Sequence, residues 1–307
     1  MNFLKLIRIQ NLLLLALMQL TFRFGYLELI NIPLSLFYWQ YSLLVLATVL
    51  IAAGGYVIND IFDQETDQEN NKKRIIGTII PESKAYTIYA ALTITGVACG
   101  FVLANSVNHP NFAVLFVLIA TLLYFYASSL KQLAVVGNIV VAALLAFSVI
   151  IIGIFDIYPN TFDINQAQMS LAFSILMDYA KFAFIINLVR EMIKDMEDYE
   201  GDNLQGIRTL PVVIGIDKTT KIAFALLLLP GLYLLYYAKT NLFEYDLFYG
   251  LGYLLVLVIA PMLFCSVKIW TAKEKADFHF ISILLKWIIF FGILSVAVIT
   301  LNIKHHG

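Results

Sequence analysis

A chain of 307 residues that is 61% hydrophobic and only 13% charged is not an ordinary soluble domain. Allowing about 20 residues per membrane crossing plus short connections, it has room for roughly nine transmembrane helices. The formal net charge of -1 and the lack of a basic tail give no reason to expect a nucleic-acid partner.

The N-terminus, with Lys5 and Arg8 followed by the apolar Leu12 to Leu17, has the outline of a signal peptide. No small-residue cleavage pattern follows and eight further apolar runs do, so an uncleaved first span is expected. Hydropathy places spans at 10–30, 37–58, 85–105, 112–130, 134–156, 168–190, 221–238, 245–268 and 283–302. When the connections are assigned alternately to the two sides, one side gathers Lys5, Arg8, Lys72, Lys73, Arg74, Lys84 and Lys131. It also gathers Arg190, Lys194, Arg208, Lys218, Lys221, Lys268, Lys273, Lys275 and Lys286, whereas the other side holds only Arg23, Lys239 and Lys304. This bias predicts that the N-terminus and the first side face the cytoplasm of a bacterial or archaeal cell. Cys99 and Cys265 lie in apolar runs and read as packed thiols.

Two acidic clusters follow the second and sixth apolar runs. The first is Asn59-Asp60-Ile61-Phe62-Asp63-Gln64-Glu65-Thr66-Asp67. On one continuous helix Asp60, Asp63 and Asp67 fall within about 60° of each other. The second repeats these offsets at Asp195, Asp198 and Asp202, within Lys194-Asp195-Met196-Glu197-Asp198-Tyr199-Glu200-Gly201-Asp202. Carboxylates on one stripe repel unless cations lie between them, and Mg²⁺ is typically held by a few carboxylates plus substrate phosphate oxygens. Surface charge or helix capping explains one or two such residues, not the recurrence of the spacing. A matched pair of stripes therefore suggests a two-sided holder for a metal-bound diphosphate. The 135 residues from Asp63 to Asp198 also suggest an internal repeat, 1–130 and 134–268 with a final helix added, within one polytopic domain spanning 1–307.

The first cluster looks like the N-D-x-x-D-x-x-x-D signature, and the second like the D-x-x-x-D signature, of the UbiA superfamily of intramembrane prenyltransferases. Tyr126-Ala127-Ser128-Ser129-Leu130-Lys131 resembles that family's Tyr/Lys segment, and Arg8-Ile9-Gln10-Asn11 its Arg-x-x-Asn start of the first span. The resemblance implies an all-α bundle of about nine membrane helices around a central cavity, with a cytoplasmic cap. It implies Mg²⁺-dependent transfer of a prenyl group from an isoprenyl diphosphate to a lipophilic acceptor. Asn59, Asp63 and Asp67 would then serve one metal ion, and Asp198 and Asp202 another, with Asp60 and Asp195 as ligands or their supports. Arg74, Lys131, Lys194 and Arg208 would neutralise diphosphate oxygens. Arg8, Asn11 and Tyr126 join the substrate-binding set, and the aromatic faces of Tyr124, Phe125 and Tyr126 are available to an allylic cation.

The chain departs from the family where Ile75 follows Arg74 in place of the usual proline. The run Lys194 to Asp202 followed by Gly206-Ile207-Arg208-Thr209-Leu210-Pro211 looks most like the branch that alkylates geranylgeranylglyceryl phosphate. An aromatic quinone precursor of the menaquinone, ubiquinone or tocopherol type is the alternative acceptor. A cation-coupled secondary transporter is the alternative of another class, although such transporters hold their ions near the bilayer midplane. No D-G-x-x-A-R run supports a phosphatidyl-type transferase. Asp178 and Lys181, three apart inside span six, read as an ion pair or as acceptor contacts. The four histidines have no ligand spacing.

Overall fold

In the computed structural model, which describes residues 2–69 and 74–306, the long runs are helices. Nine rods succeed one another among the described residues: α1 (Ile9–Phe22), α2 (Tyr38–Phe62), α3 (Glu82–Ser106), α4 (Pro110–Ser128), α5 (Val136–Asn160), α6 (Gln166–Glu197), α7 (Ile216–Phe243), α8 (Phe248–Thr271) and α9 (Lys275–His306). The last eight are long and apolar enough to cross a membrane. The first has 14 α-helical residues and is lengthened by a wider turn over Arg23–Leu27. At 1.5 Å per residue the 25 residues of α2 reach about 37 Å, which exceeds a hydrocarbon core of about 30 Å. The 32 residues of α6 project further still, by about 18 Å beyond that core, so its last turns need not be apolar.

Close helix contacts use small residues, since lipid tails leave van der Waals packing as the main drive for association. The α2–α3 interface is the broadest. A Cβ at Gly96 would sit 2.8 Å from Ile51 Cγ1 and 3.1 Å from the Ala47 carbonyl oxygen, so only glycine admits this approach. Large outward side chains such as Leu13, Ile94, Leu118, Leu171, Val256 and Trp287 are exposed from the bundle and suit a lipid surround. Cys99 is half-buried, Cys265 is buried, and both are free thiols packed among apolar neighbours.

One end of the bundle is locked by a buried polar network. Arg23 donates to Asp156 Oδ2 at 2.5 Å, to Glu28 Oε1 at 3.1 Å and to the Leu36 carbonyl at 3.0 Å. Asp156, fully buried, also accepts the Leu36 N–H at 2.9 Å. This ties the α1 extension, the α1–α2 connection and α5 together. A second polar knot lies between α1, α2 and α5: Thr48 donates to the Gln19 side-chain oxygen at 2.8 Å and Gln19 donates to the Ser148 carbonyl at 3.3 Å.

Removing one member of a buried ion pair leaves its partner uncompensated, at about 3–5 kcal/mol. Asp156→Ala should therefore lower the thermal unfolding midpoint of the detergent-solubilised protein by several degrees, and an unchanged midpoint would contradict this role.

Candidate active site

The two acidic clusters do not lie on unbroken helices. α2 ends at Phe62, Asp63 caps it with φ −88° and ψ 2°, and a separate short helix Gln64–Glu69 follows. α6 ends at Glu197, Asp198 caps it with φ −96° and ψ 7°, and the short helix Tyr199–Leu204 follows. The single stripe expected from 0, 3, 7 spacing is thus corrected at both places: the chain turns at the middle aspartate. The two turns match each other, for the Asp63 N–H bonds the Asn59 carbonyl and the Asp198 N–H bonds the Lys194 carbonyl, each at 2.9 Å. A helix C-terminus carries about half a negative charge, so a carboxylate there is destabilised unless cations neutralise it.

Those cations come from other parts of the chain. Lys131, on the short turn Leu130–Gln132 that joins α4 to α5, bonds Asp63 Oδ1, and Asn59 donates to Asp63 Oδ2. Arg8 donates to Asp60 Oδ1 at 2.9 Å and lies 5.0 Å above the Tyr56 ring. Its φ of 50° breaks the chain between Asn2–Leu6 and α1, which turns the guanidinium back toward α2. Asn11, one turn further, lines the cavity described below. Arg74 reaches the Gln64 carbonyl at 3.5 Å and so closes over the first cluster.

In the second cluster Asp195 accepts a hydrogen bond from Asn138 Nδ2 of α5 at 2.8 Å. Lys194 donates to Glu191 Oε1 at 2.6 Å. Asp202 is buried, and Gly206 at φ 69° lets the chain close behind it, with the Ile207 N–H bonding the Asp202 carbonyl at 2.9 Å. Arg208 is exposed on the stretch that follows. The side chain of Asp67 lies outside the described residues, although its backbone belongs to Gln64–Glu69.

The clusters meet. The short helices Gln64–Glu69 and Tyr199–Leu204 pack against each other. Tyr126 of α4 lies within electrostatic reach of Asp63 on one side, Glu191 and Asp195 on the other, and Arg8. Arg8 in turn acts on Glu191 and Lys194. Beside this polar end runs a cavity of about 700 Å³, lined by α1, α2 and α5 to α9. Asn11, Tyr56, Asn187, Arg190 and Lys286 line it together with apolar side chains such as Leu12, Leu15, Met18, Phe22 and Ile293. Tyr124 and Phe125 are exposed on the outside of the bundle, with Tyr124 edge-on to Phe62, and line no part of the cavity. Among the described residues no group of three or more His, Cys, Asp or Glu side chains converges as a ready-made metal cage.

Several site residues escaped the sequence reading. Asn138, Glu191 and Tyr56 carry no motif, although a lone Asn in the apolar run of α5 is itself a signal. His279, one of the four histidines without ligand spacing, lies 3.0 Å from Glu197 Oε1 and joins α9 to the end of α6. Asp178 and Lys181 form an ion pair at 2.9 Å on the exposed side of α6, with Asp178 at the cavity edge.

The model of the UbiA prenyltransferase family matches residues 24–300. Digeranylgeranylglyceryl phosphate synthase of Thermococcus kodakarensis is 31% identical over 84% of this chain and 85% of its own length. The enzyme of that name from Saccharolobus solfataricus is 34% identical over 79% of this chain and 76% of its own length. A solved structure concerned with digeranylgeranylglyceryl phosphate synthase in membranes has TM-score 0.62 at 22% identity, covering 99% of this chain and 98% of that one. A UbiA homologue from Archaeoglobus fulgidus, solved bound to DMAPP and Mg²⁺, has TM-score 0.58 at 17% identity over 97% of this chain and 100% of its own. Fold and comparisons together define an integral, multi-pass membrane prenyltransferase. The chain belongs to the UbiA prenyltransferase family.

Asn138 reaches the site through its hydrogen bond to Asp195 at 2.8 Å. Loss of such a supporting hydrogen bond typically lowers activity by about 10–100-fold. Asn138→Ala should reduce kcat/KM for prenyl transfer within that range while the protein still inserts and folds, and wild-type kinetics would show that the bond does not matter.

Proposed function

We propose that this protein transfers a prenyl group from an isoprenyl diphosphate to a geranylgeranylglyceryl-phosphate-type lipid, with Mg²⁺ as cofactor, at the cytoplasmic face of the membrane. The observation that carries the reading is the meeting of two carboxylate-bearing helix ends, with cations from three other segments, at the polar end of an apolar cavity. The curated relatives bear the name of a lipid-making enzyme, which favours the glyceryl phosphate acceptor over an aromatic quinone precursor. A transporter reading loses ground because the carboxylates cap helix ends and do not interrupt helices at mid-membrane.

The donor set suits Mg²⁺. Every candidate ligand, namely Asn59, Asp60, Asp63, Asp67, Asp195, Asp198 and Asp202, offers hard oxygen, and Mg²⁺ takes one or two carboxylates plus phosphate oxygens and water. A protein-only cage of three carboxylates is therefore not required. When bound, Mg²⁺ neutralises the charge that accumulates on a departing diphosphate.

The remaining work falls to the chain. Lys131, which bonds Asp63, and Lys194, which bonds Glu191, can turn part of their donor capacity to diphosphate oxygens while keeping the carboxylate contact, since each ammonium has three N–H groups. Arg8 holds Asp60 in place, and Arg74 and Arg208 stand at the polar rim. The allylic C–O bond breaks with its electron pair leaving on the diphosphate, and the acceptor hydroxyl oxygen supplies the pair for the new C–O bond and gives its proton to the departing diphosphate. Tyr56, lining the cavity beneath Arg8, offers an electron-rich ring to the developing carbocation, an attraction of about 0.5–2 kcal/mol. Leu12, Leu15, Met18 and Phe22 exclude water from the isoprenoid path. The equivalent turns at Asp63 and Asp198 also fit a single domain built from an internal repeat, 1–130 and 134–268 with α9 added.

Asp63→Ala and Asp198→Ala should each lower diphosphate release from geranylgeranyl diphosphate by at least roughly 10²–10³-fold, the scale of losing one preorganised charge-stabilising group. EDTA should reproduce the loss in the wild type and added Mg²⁺ should reverse it. Retained turnover in both variants would overturn the assignment.

A further inference from the structure

Three cations line the cavity and have no role in the mechanism above: Lys304 at the far end of α9, and Arg190 and Lys286 toward the polar end. Arg190 of α6 and Lys286 of α9 both line the apolar chamber, at the ends of the hydropathic runs of their helices nearest the carboxylate clusters. Their relative placement follows from the antiparallel packing of the two helices. His279 of α9 lies 3.0 Å from Glu197 of α6. Arg190 is seven positions before Glu197 and Lys286 is seven positions after His279. Seven residues are two helical turns, about 10 Å, so each cation lies below that contact on the same face and at matching depth. Further along, the bond at 2.9 Å between Tyr179 and Ser295 keeps the two helices antiparallel and paired to within two residues of that register, and Lys286 is within electrostatic reach of Arg190.

Two like charges facing each other across an apolar chamber repel, and neither is adequately neutralised. Lys286 has no carboxylate partner among the described residues. The nearest acid to Arg190 is Glu191 at 3.6 Å, and that oxygen is bonded more closely by Lys194 at 2.6 Å. The Arg190 Nε–H is buried and without a hydrogen-bond partner. Asn187, one turn below and buried, spends its amide N–H on the Ala183 carbonyl at 2.8 Å. A buried guanidinium N–H left unmet is costly, and ionisable groups facing the interior of a membrane bundle mark sites where something charged binds.

We propose that Arg190 and Lys286 form a phosphate site for the acceptor, distinct from the carboxylate clusters that face the donor's diphosphate, and that they select a phosphorylated glycerolipid over a neutral one. This deepens the reading under Proposed function and rests on it. An arginine fork and a lysine point charge suit a phosphate dianion. Arg190 precedes Asp195 by five residues and Asp198 by eight, about 8 and 12 Å along the helix. The site therefore holds an acceptor's phosphate near the reacting end of the donor without competing for the metal-binding carboxylates.

The test compares wild type with Lys286→Gln, Arg190→Gln and the conservative Lys286→Arg, in detergent with Mg²⁺ and geranylgeranyl diphosphate. Geranylgeranylglyceryl phosphate and its dephosphorylated counterpart serve as acceptors. In the Gln variants KM for the phosphorylated acceptor should rise roughly 10- to 100-fold, the cost of a charge-assisted hydrogen bond. KM for the donor should stay within about twofold, preference for the phosphorylated acceptor should collapse, and Lys286→Arg should recover much of it. A rise confined to the donor KM would assign the cations to the diphosphate and overturn the proposal, as would unchanged constants throughout. Thermal stabilisation by glycerol phosphate provides a readout independent of turnover. It should be present in wild type and lost in Lys286→Gln. If wild type transfers only to aromatic acceptors yet keeps this stabilisation, the acceptor reading fails while the anion site stands. If stabilisation is absent in wild type, or equal in wild type and Lys286→Gln, the site itself is refuted.

Discussion

Asp63 and Asp198 occupy positions where a carboxylate is least welcome, at the negative ends of long helices. Each is the last residue that its helix holds by a backbone bond, and after each the chain turns into a short separate helix. Such placement is unfavourable for either end alone. Bringing both ends together would compound the repulsion without Lys131, Arg8 and Lys194 between and around them. The fold therefore concentrates opposite charges at one end of the bundle, where hard oxygen ligands of the kind Mg²⁺ takes converge with cationic side chains.

The rest of the architecture serves that meeting. Arg8 must reach α2 from the N-terminus, which requires a left-handed residue between Asn2–Leu6 and α1. Lys131 must reach α2 from the turn after α4, and Asn138 must reach α6 from α5. At the opposite end, Arg23 and Asp156 fix α1 against α5, so the chamber between them keeps its shape along the membrane. Charged groups buried in such a bundle are costly, and here Arg23 and Asp156 pair across helices while Arg190 and Lys286 face the cavity.

Much of this was legible in the sequence because a bilayer imposes a simple length and polarity rule. The spans expected at 37–58 and 85–105 are the helices Tyr38–Phe62 and Glu82–Ser106. The span expected at 168–190 runs on to Glu197, because a helix does not stop where the hydrocarbon does and its polar end is satisfied by the second cluster. The motifs located the two clusters but not their shape: a turn at the middle aspartate is invisible to a helical wheel. The long-range partners were not legible either. Asn138 against Asp195, Arg23 against Asp156 and the alignment of Arg190 with Lys286 depend on how separate helices pack, and no local pattern encodes them. The outward turn of Tyr124 and Phe125 reflects the same limit, since residues on one helix face could lie toward lipid or toward the cavity.

The central claim is that two distant carboxylate clusters act on one ligand. A double-mutant cycle on binding tests it directly: affinity for a non-reactive thio analogue of geranylgeranyl diphosphate, measured by titration calorimetry with Mg²⁺, in wild type, Asp63→Asn, Asp198→Asn and the double variant. If both carboxylates grip the same diphosphate through metal, the effects are coupled, and the double variant binds little worse than the weaker single one, a non-additivity of about 0.5–3 kcal/mol. Strictly additive losses, or an affinity untouched by one of the two substitutions, would contradict the account.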